Sequence, residues 1–237
     1  MKRLFLMTIC CLAACAGSGE VVAEKIEEGF LSIFDGKTLK GWEEMPSVQE
    51  KAWRVVDGMI VGEGDKGRGY LVFENKDLAN FELKLCYRFP GKGNSGISIR
   101  ARKDPTGKRS FQSYHADLGH LGIGGKVLGA WDFHTPGRKE HRCFRGDRLV
   151  IAKDDQPTIT PLKGALTAAD IKKSDWNEVH LIVQDNTFEF FINGKLASEF
   201  TEHLDPVKRL HRGMIQLQLH DPGMIVHYKD LMLKVLK

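Results

Sequence analysis

Two short segments each carry a histidine and a carboxylate two residues apart. They are His115-Ala116-Asp117 and Asp132-Phe133-His134. If both segments are extended, each pair lies on one face of its strand, because side chains alternate along a strand. Such a pair predicts either a general base oriented by its carboxylate or ligands of a divalent metal, for which His115, Asp117 and His134 are the candidates. The other interpretation of Asp117 is a turn residue.

Polar side chains alternate with aliphatic ones on two further segments. Ser98 and Arg100 belong to the first segment, and Gln218 and His220 belong to the second. A β-sandwich commonly binds its ligand across one sheet face, so these four residues are candidate site residues. We expect Arg100 and His220 to share one groove with Asp117. The alternatives are a structural salt bridge for Arg100 and a solvent-facing histidine at 220.

Trp131 is the tryptophan expected at this groove, because polar residues and a glycine-rich loop flank it. An indole ring suits the apolar face of a sugar, so Trp131 and its neighbour Asp132 are candidate substrate contacts. The tryptophans at positions 42, 53 and 176 are expected in the core.

The elements that would position these groups are strands. Segments 81–89, 97–102, 188–192 and 214–220 alternate apolar and polar residues, and Asn193-Gly194 is a strong hairpin turn. Helical periodicity is weak and confined to 167–173. The pattern predicts an all-β sandwich in one domain, 29–237. The basic segment 137–163 is expected to be irregular, as a lid or a solvated excursion.

The first residues predict export. Lys2 and Arg3 precede an apolar run that ends in Leu12-Ala13-Ala14-Cys15, the order of a lipoprotein signal. We interpret 1–14 as a signal peptide, Cys15 as the lipidated residue and 15–28 as a tether. The protein would then be anchored to a membrane on its periplasmic or cell-surface side. The alternative is an ordinary signal peptide cut near position 14 or 23.

The net charge and the cysteine content limit the classes of binding partner and the thiol chemistry that the sequence predicts. The formal net charge is +4, and loss of the two signal-peptide cations leaves about +2, too little for a nucleic-acid partner. Cys86 and Cys143 remain in the predicted domain. They are interpreted as two free, buried thiols, although an oxidising compartment would let them pair.

Several ordered motifs resemble the 3-keto-disaccharide hydrolase family, which is built on a concanavalin A-like jelly roll. They lie at 29–42, 53–58, 93–100, 175–178, 191–194, 213–220 and 228–231. The middle departs from the common family pattern. His115 stands where a family branch has Gln, and Trp131 stands where that branch has Tyr. The fold implied is therefore a jelly-roll β-sandwich, and the catalytic residues are less directly transferred.

The resemblance implies hydrolysis of 3-keto-glycosides or 3-keto-disaccharides. A 3-keto group makes the hydrogen at C2 acidic, so a base can remove it and the C1 group can leave by elimination before water adds. The roles assigned are base for His220, or for His115 with Asp117; enediolate stabilisation for Arg100, with or without a divalent metal; and hydrogen bonds to sugar hydroxyls for Asn94, Ser95, Ser98 and Gln218.

Two other functions remain open at this point. A non-catalytic carbohydrate-binding module is the main alternative, because one fold hosts many functions. A conventional glycosidase requires two carboxylates at the scissile bond. The Glu-Xaa-Asp-Xaa-Xaa-Glu strand typical of jelly-roll endoglucanases is absent from this sequence. The sequence leaves the oligomeric state undetermined.

Overall fold

The computed structural model describes residues 27–45, 51–66 and 69–237, which form a two-sheet β-sandwich. The strands are β1 (Leu31–Ser32), β2 (Trp42–Met45), β3 (Trp53–Val56), β4 (Met59–Glu63), β5 (Gly69–Phe73), β6 (Phe81–Arg88), β7 (Asn94–Lys103), β8 (Phe111–Gly119), β9 (Trp131–His134), β10 (Arg142–Cys143), β11 (Asp147–Ile151), β12 (Pro157–Pro161), β13 (Asn177–Gln184), β14 (Thr187–Ile192), β15 (Lys195–Glu202), β16 (Met214–Leu219) and β17 (Ile225–Val235). Short 3₁₀ turns span Gly64–Lys66, Ala168–Asp170 and Pro206–Lys208. The predicted all-β jelly-roll sandwich is confirmed.

The two sheets differ in size and in what their outer faces carry. The ten-stranded sheet has the order β12-β11-β15-β14-β13-β6-β17-β4-β3, with β1 also paired to β17. The seven-stranded sheet has the order β10-β9-β8-β7-β16-β5-β2. Strands β7, β8, β9 and β16 of the smaller sheet contain the His–Asp pairs and the polar ladder found in the sequence. Its outer face is therefore where a site can form.

The core lies between the sheets and is filled by the apolar residues of the alternating strands. Aromatic rings form its centre, where Phe188 stacks on Phe200 with centroids 4.1 Å apart. Burial of these side chains fixes the register of every strand, since a shift of one residue would turn the apolar set outward. Most of the polar residues between them then face away from the opposite sheet.

The basic segment 137–163 is more ordered than the sequence predicts, because it contains β10, β11 and β12. Leu149 and Ile151 are fully buried, and β11 pairs in parallel with β15. Its alternation was obscured by the arginines around it. Strand β12 is exposed along its whole length, as befits an edge strand.

The two cysteines of the domain differ in state. Cys143 is a free thiol buried on β10, and burial raises its pKa to about 12. Cys86 is disulfide-bonded, so the prediction of a free thiol is wrong at that position. The pairing that the sequence left open joined Cys86 to Cys143, and these two residues lie in different sheets.

The predicted signal peptide, Cys15 and nearly all of the tether lie outside the described residues. Within the described ranges, no helix is long and apolar enough to cross a membrane.

Candidate functional site

A pocket of about 230 Å³ opens on the outer face of the seven-stranded sheet. It contains both His–Asp pairs together with His220. Its lining residues are Asn94, His115, Asp117, Val127, Ala130, Trp131, Asp132, His134, Arg142, Phe144, Gln218 and His220. The pocket is therefore the candidate site.

Strand register brings the two His–Asp pairs side by side. His115 on β8 pairs with Asp132 on β9 and, on its other side, with Ser98 on β7. The His115 and His134 rings stack with centroids 4.8 Å apart and planes inclined by 22°. His115 Nε2 lies 3.7 Å from Asp117 Oδ1, and His134 Nε2 lies 3.4 Å from Asp132 Oδ2. Each pair occupies one strand face, as its spacing predicts.

His115 is held by its neighbours on β7 and is only 2% exposed. Its Nδ1 is hydrogen bonded to the Ser98 hydroxyl at 2.9 Å. Its ring lies over Gly96, where an added Cβ would be 2.1 Å from His115 Nε2. Glycine at position 96 thus provides the space that the imidazole occupies. Ser98 itself is buried and does not line the pocket, so its predicted direct contact with substrate is replaced by a contact with His115.

The two carboxyl groups of the pocket have widely separated pKa values. Burial, reinforced by the negative charge of Asp132, raises the pKa of Asp117 to about 8, although Arg142 opposes the shift. Burial also disfavours ionisation of Asp132, but hydrogen bonding by His134 and the Phe133 backbone N–H, together with electrostatic interaction with the His134 and His115 rings, outweighs it and brings the pKa of Asp132 to about 2. At neutral pH, Asp117 is mainly protonated and Asp132 is ionised.

Burial also lowers the pKa of His115 well below its ordinary value, and the neighbouring His134 adds to the effect. The imidazole of His115 is therefore neutral at neutral pH. A side-chain hydrogen bond with Gln218 partly opposes this shift. Gln218 thus supports His115 from β16, on the pocket side that the sequence predicted for it.

His220 follows the last residue of β16 and has its own carboxylate partner. Its Nδ1 lies 2.6 Å from Asp221 Oδ1, and its side chain is 32% exposed. Because the carboxylate accepts the Nδ1 proton, the Nε2 lone pair is left to accept another proton. The sequence-based interpretation gave His220 no carboxylate partner and missed Asp221, although adjacency in the sequence was an available signal.

Arg100 does not lie in the pocket, so its predicted placement beside His220 is wrong. A β-bulge between Ile99 and Arg102 breaks the alternation of β7, and Arg100 adopts a left-handed φ of 47°. Its guanidinium donates to the carbonyl oxygens of Ala79, Asp185 and Leu210. It also lies 4.9 Å from the centre of the Phe188 ring, inside the sandwich. Burial lowers its pKa to about 10, so it stays charged and braces three connecting segments.

Two further predicted contacts point into the core. Ser95 is fully buried, donates to the Gln218 carbonyl oxygen and is hydrogen bonded to the Tyr228 hydroxyl. Trp131 is also fully buried, and its ring packs against Phe190 and other core aromatics, so it offers no stacking surface to a sugar. Both belong to the inward set of their strands, because their neighbours Asn94 and Asp132 take the outward positions.

Arg142, Phe144, Val127 and Ala130 line the pocket but were not among the predicted site residues. Arg142 pairs with Asp132 across β9 and β10, so it brings a positive charge to the pocket. The available signal was the i, i+2 spacing of Arg142 and Phe144 around a buried cysteine. This spacing was not recognised because the segment was predicted to be irregular rather than a strand.

Asn94 is on the pocket wall, as predicted, and its Oδ1 is buried without a hydrogen-bond partner. A buried carbonyl oxygen without a partner is unfavourable, so this atom is available to a ligand hydroxyl.

The described residues do not fit the predicted divalent-metal site. They contain no group of three or more His, Cys, Asp or Glu side chains arranged to hold an ion. The His115 and His134 rings stack face to face rather than directing nitrogens to a shared point. We therefore derive no step through a metal ion.

A larger cavity of about 500 Å³ lies beside the start of β7 and the turn before β13. Lys92, Lys172 and Lys173 border it, along with His120 and Asp175. It has none of the His–Asp pairs, so the smaller pocket is the better candidate for catalysis.

The described residues form a two-sheet β-sandwich with a polar pocket on the outer face of the smaller sheet. A model of the 3-keto-alpha-glucoside-1,2-lyase-like domain matches residues 29–234, and the chain therefore belongs to this family. The resemblance drawn from the sequence motifs is confirmed.

Known proteins similar to this chain show how far the similarity extends. A 3-keto-disaccharide hydrolase of Bacteroides thetaiotaomicron is 28% identical over 148 residues, covering 44% of this chain and 49% of the relative. The chain thus spans about half the length of this curated relative. A Parabacteroides distasonis structure, solved as a candidate glycosyl hydrolase, has a TM-score of 0.58 at 19% identity. The match covers 89% of this chain and 95% of the Parabacteroides chain. The Bacillus subtilis carbohydrate-binding module CBM66 has a TM-score of 0.53 at 12% identity. The match covers 82% of this chain and 95% of the module. Both structures support the fold alone.

Proposed function

We propose that this protein cleaves glycosides whose sugar carries a 3-keto group, by elimination and hydration in the pocket described above. One observation carries the proposal. His220, whose Nδ1 is held by Asp221, and Asp117, which is protonated near neutral pH, line the same pocket. The reaction requires such a base and such an acid together.

The base in this proposal is Nε2 of His220. It removes the proton from C2, and the C2–H electrons form an enediolate with the 3-keto oxygen. The guanidinium of Arg142, which lines the pocket, would stabilise the negative charge that develops on the enediolate, as preorganised cations do in other enzymes. Arg142 takes over the role that the sequence analysis gave to Arg100.

The acid is Asp117. As the enediolate collapses, a C1–C2 double bond forms, the C1–O bond breaks, and the leaving oxygen takes the Asp117 proton. Water then adds at C1, and C2 regains a proton. One water is consumed overall, as in hydrolysis. His115, neutral and fixed by Ser98 and Gln218, would position Asp117 and the sugar.

Deuterium exchange tests the mechanism directly. In D₂O, purified protein acting on methyl 3-keto-α-glucoside should release a sugar with deuterium at C2, because that proton is lost and regained. Product sugar incubated without protein sets the background exchange, and unoxidised methyl α-glucoside should stay intact. Cleavage with the C2 proton retained would sink the elimination mechanism.

Replacement of the base gives the complementary test. His220→Ala should lower kcat by about 10²–10⁴, the usual contribution of a general base. His203→Ala is the matched control, because His203 is exposed and does not line the pocket. Equal loss in both variants would argue against His220 as the base.

A conventional glycosidase is a second candidate, favoured by the split pKa values of Asp117 and Asp132. A protonated acid beside an ionised carboxylate is the pairing that ordinary glycoside hydrolysis uses. Cleavage of unoxidised glucosides, without deuterium at C2, would favour this candidate. Sugar binding without turnover would instead favour the carbohydrate-binding module.

We also propose export and anchoring through a lipid on Cys15, which rests on the order of residues 2–15 alone. Cys15→Ser should move the protein from the membrane fraction to the soluble fraction. Continued membrane association of that variant would contradict the proposal.

A further inference from the structure

We infer that Phe144 is the platform on which the leaving group's sugar ring stacks, so that the site prefers disaccharides to simple glycosides. This inference rests on the proposed function and extends it to the part of the substrate that is released.

The size of the pocket is the first step. Its volume of about 230 Å³ lies below the roughly 300–1,000 Å³ typical of small-molecule sites. It therefore accommodates one sugar ring. The ring that reacts must lie inside, because Asp117, the proposed acid, is mostly buried, with its side chain 15% exposed. The second ring of a disaccharide then extends to the rim.

Phe144 is the apolar surface available at that rim. Seven large hydrophobic side chains of the described residues are exposed, and of these only Phe144, at 37%, lines the pocket. The apolar face of a sugar ring packs well against an aromatic face. Trp131, the aromatic residue expected from the sequence, is buried in the core and cannot take this role.

The exposure of Phe144 is built into the fold. On one side, the Cys143 thiol is fully buried and contacts the Glu199 carbonyl oxygen at 3.2 Å. On the other side, Arg145 Nη1 donates to the Leu128 carbonyl oxygen at 2.9 Å. The Phe144 carbonyl oxygen itself accepts from Asp147 N at 2.9 Å. These contacts hold the backbone on both sides of Phe144, and a backbone that is already ordered loses little conformational entropy when a ligand binds.

Arg142 completes the rim. It lies two residues before Phe144, on the same side of the chain, and also lines the pocket. A cation with several donors beside an aromatic face suits the hydroxyl groups at the edge of a sugar ring whose apolar face rests on Phe144. Together they form a subsite for a neutral sugar.

The test compares a substrate that has a second sugar ring with a substrate that lacks one. Phe144→Ala should raise KM for a 3-keto-glucose disaccharide about five- to tenfold and leave kcat nearly unchanged, because stacking is lost equally from ground and transition states. For methyl 3-keto-α-glucoside, which has no second ring, KM should stay within about twofold. Phe144→Trp should restore the disaccharide KM.

Ile159→Ala is the matched control, since Ile159 is 52% exposed on β12 and does not line the pocket. Equal changes in KM for both substrates, or no change for either, would overturn the inference. Binding of the unoxidised disaccharide and of methyl α-glucoside, measured by calorimetry, separates the two proposals. If the wild-type protein shows no turnover but Phe144→Ala weakens only disaccharide binding, the subsite stands and the proposed reaction fails.

Discussion

Two buried carboxyl groups, Asp117 in the pocket and Glu202 at one end of the sandwich, differ in what surrounds them. Burial raises the pKa of both. Glu202 is 1% exposed and fully engaged: the Tyr114 hydroxyl donates to its Oε1, and Arg138 Nη2 lies 2.9 Å from its Oε2. No hydrogen bond from any described side chain reaches the Asp117 carboxyl, which faces an open pocket.

The comparison shows that a shifted pKa does not by itself identify a catalytic group. In Glu202 both carboxyl oxygens are hydrogen bonded to protein side chains, and the contact with Arg138 joins β15 to the segment after β9. In Asp117 the unsatisfied carboxyl is oriented toward space that a ligand can enter. Access and unmet hydrogen-bonding capacity distinguish the two.

Asp117→Asn is the most direct test of the difference between the two carboxyl groups. The amide keeps the shape of the side chain but has no proton to transfer at neutral pH, so kcat should fall about 10²–10⁴. Initial rates on methyl 3-keto-α-glucoside measure the effect, with circular dichroism to verify folding. If the variant retains most of its kcat, Asp117 is not the acid.

Glu202→Gln should lower the stability of the protein and leave kcat unchanged. The amide places an NH₂ donor where a carboxyl oxygen now accepts, so the Tyr114 hydroxyl or Arg138 loses its acceptor in a buried site. We expect a loss of about 1–3 kcal/mol in the free energy of unfolding. Urea denaturation measures it. In protein that remains folded, kcat should be unchanged within about twofold, and a large loss of kcat would place Glu202 in the catalytic machinery instead.

Gly96→Ala probes how the pocket is assembled. The added Cβ would overlap the His115 ring, which must shift, so we expect a cost of about 1–3 kcal/mol and weaker turnover. Gly107→Ala gives a comparison at a glycine with no neighbouring atom within 4 Å, although its φ of 71° adds backbone strain there. A Gly96 variant with unchanged kcat would mean that the position of His115 is not needed.

The pH dependence of stability tests the raised pKa of Asp117 without a measurement of kcat. The pKa of Asp117 rises from 3.8 to about 8 on folding, so the folded state holds a proton that the unfolded state has released. This stabilising contribution is fully present below about pH 4 and is lost as pH rises toward about 8. Within that window its slope is about 1.4 kcal/mol per pH unit. Asp117→Asn should remove this slope, and identical unfolding free energies for variant and wild type from pH 5 to pH 8 would refute the shift.

Sequence reasoning succeeded wherever local alternation was unbroken. It predicted strands β6, β14 and β16, the same-face pairing of His115 with Asp117, and the outward direction of Gln218. It failed at Arg100, because one inserted residue in β7 reversed the direction of everything that followed on that strand. It also failed at Trp131, where the outward position is taken by Asp132.

The sequence by itself determined the fold class, the family and the faces of most strands, because a period of two and the turn residues are local properties of the chain. The tertiary structure alone decided which faces meet. Strand register set His115 between Ser98 and Asp132, and the packing of β10 beside β9 brought Arg142 and Phe144 to the pocket. It also separated the pKa values of Asp117 and Asp132, since desolvation and electrostatic potential are sums over groups that are distant in the chain and close only in the folded protein.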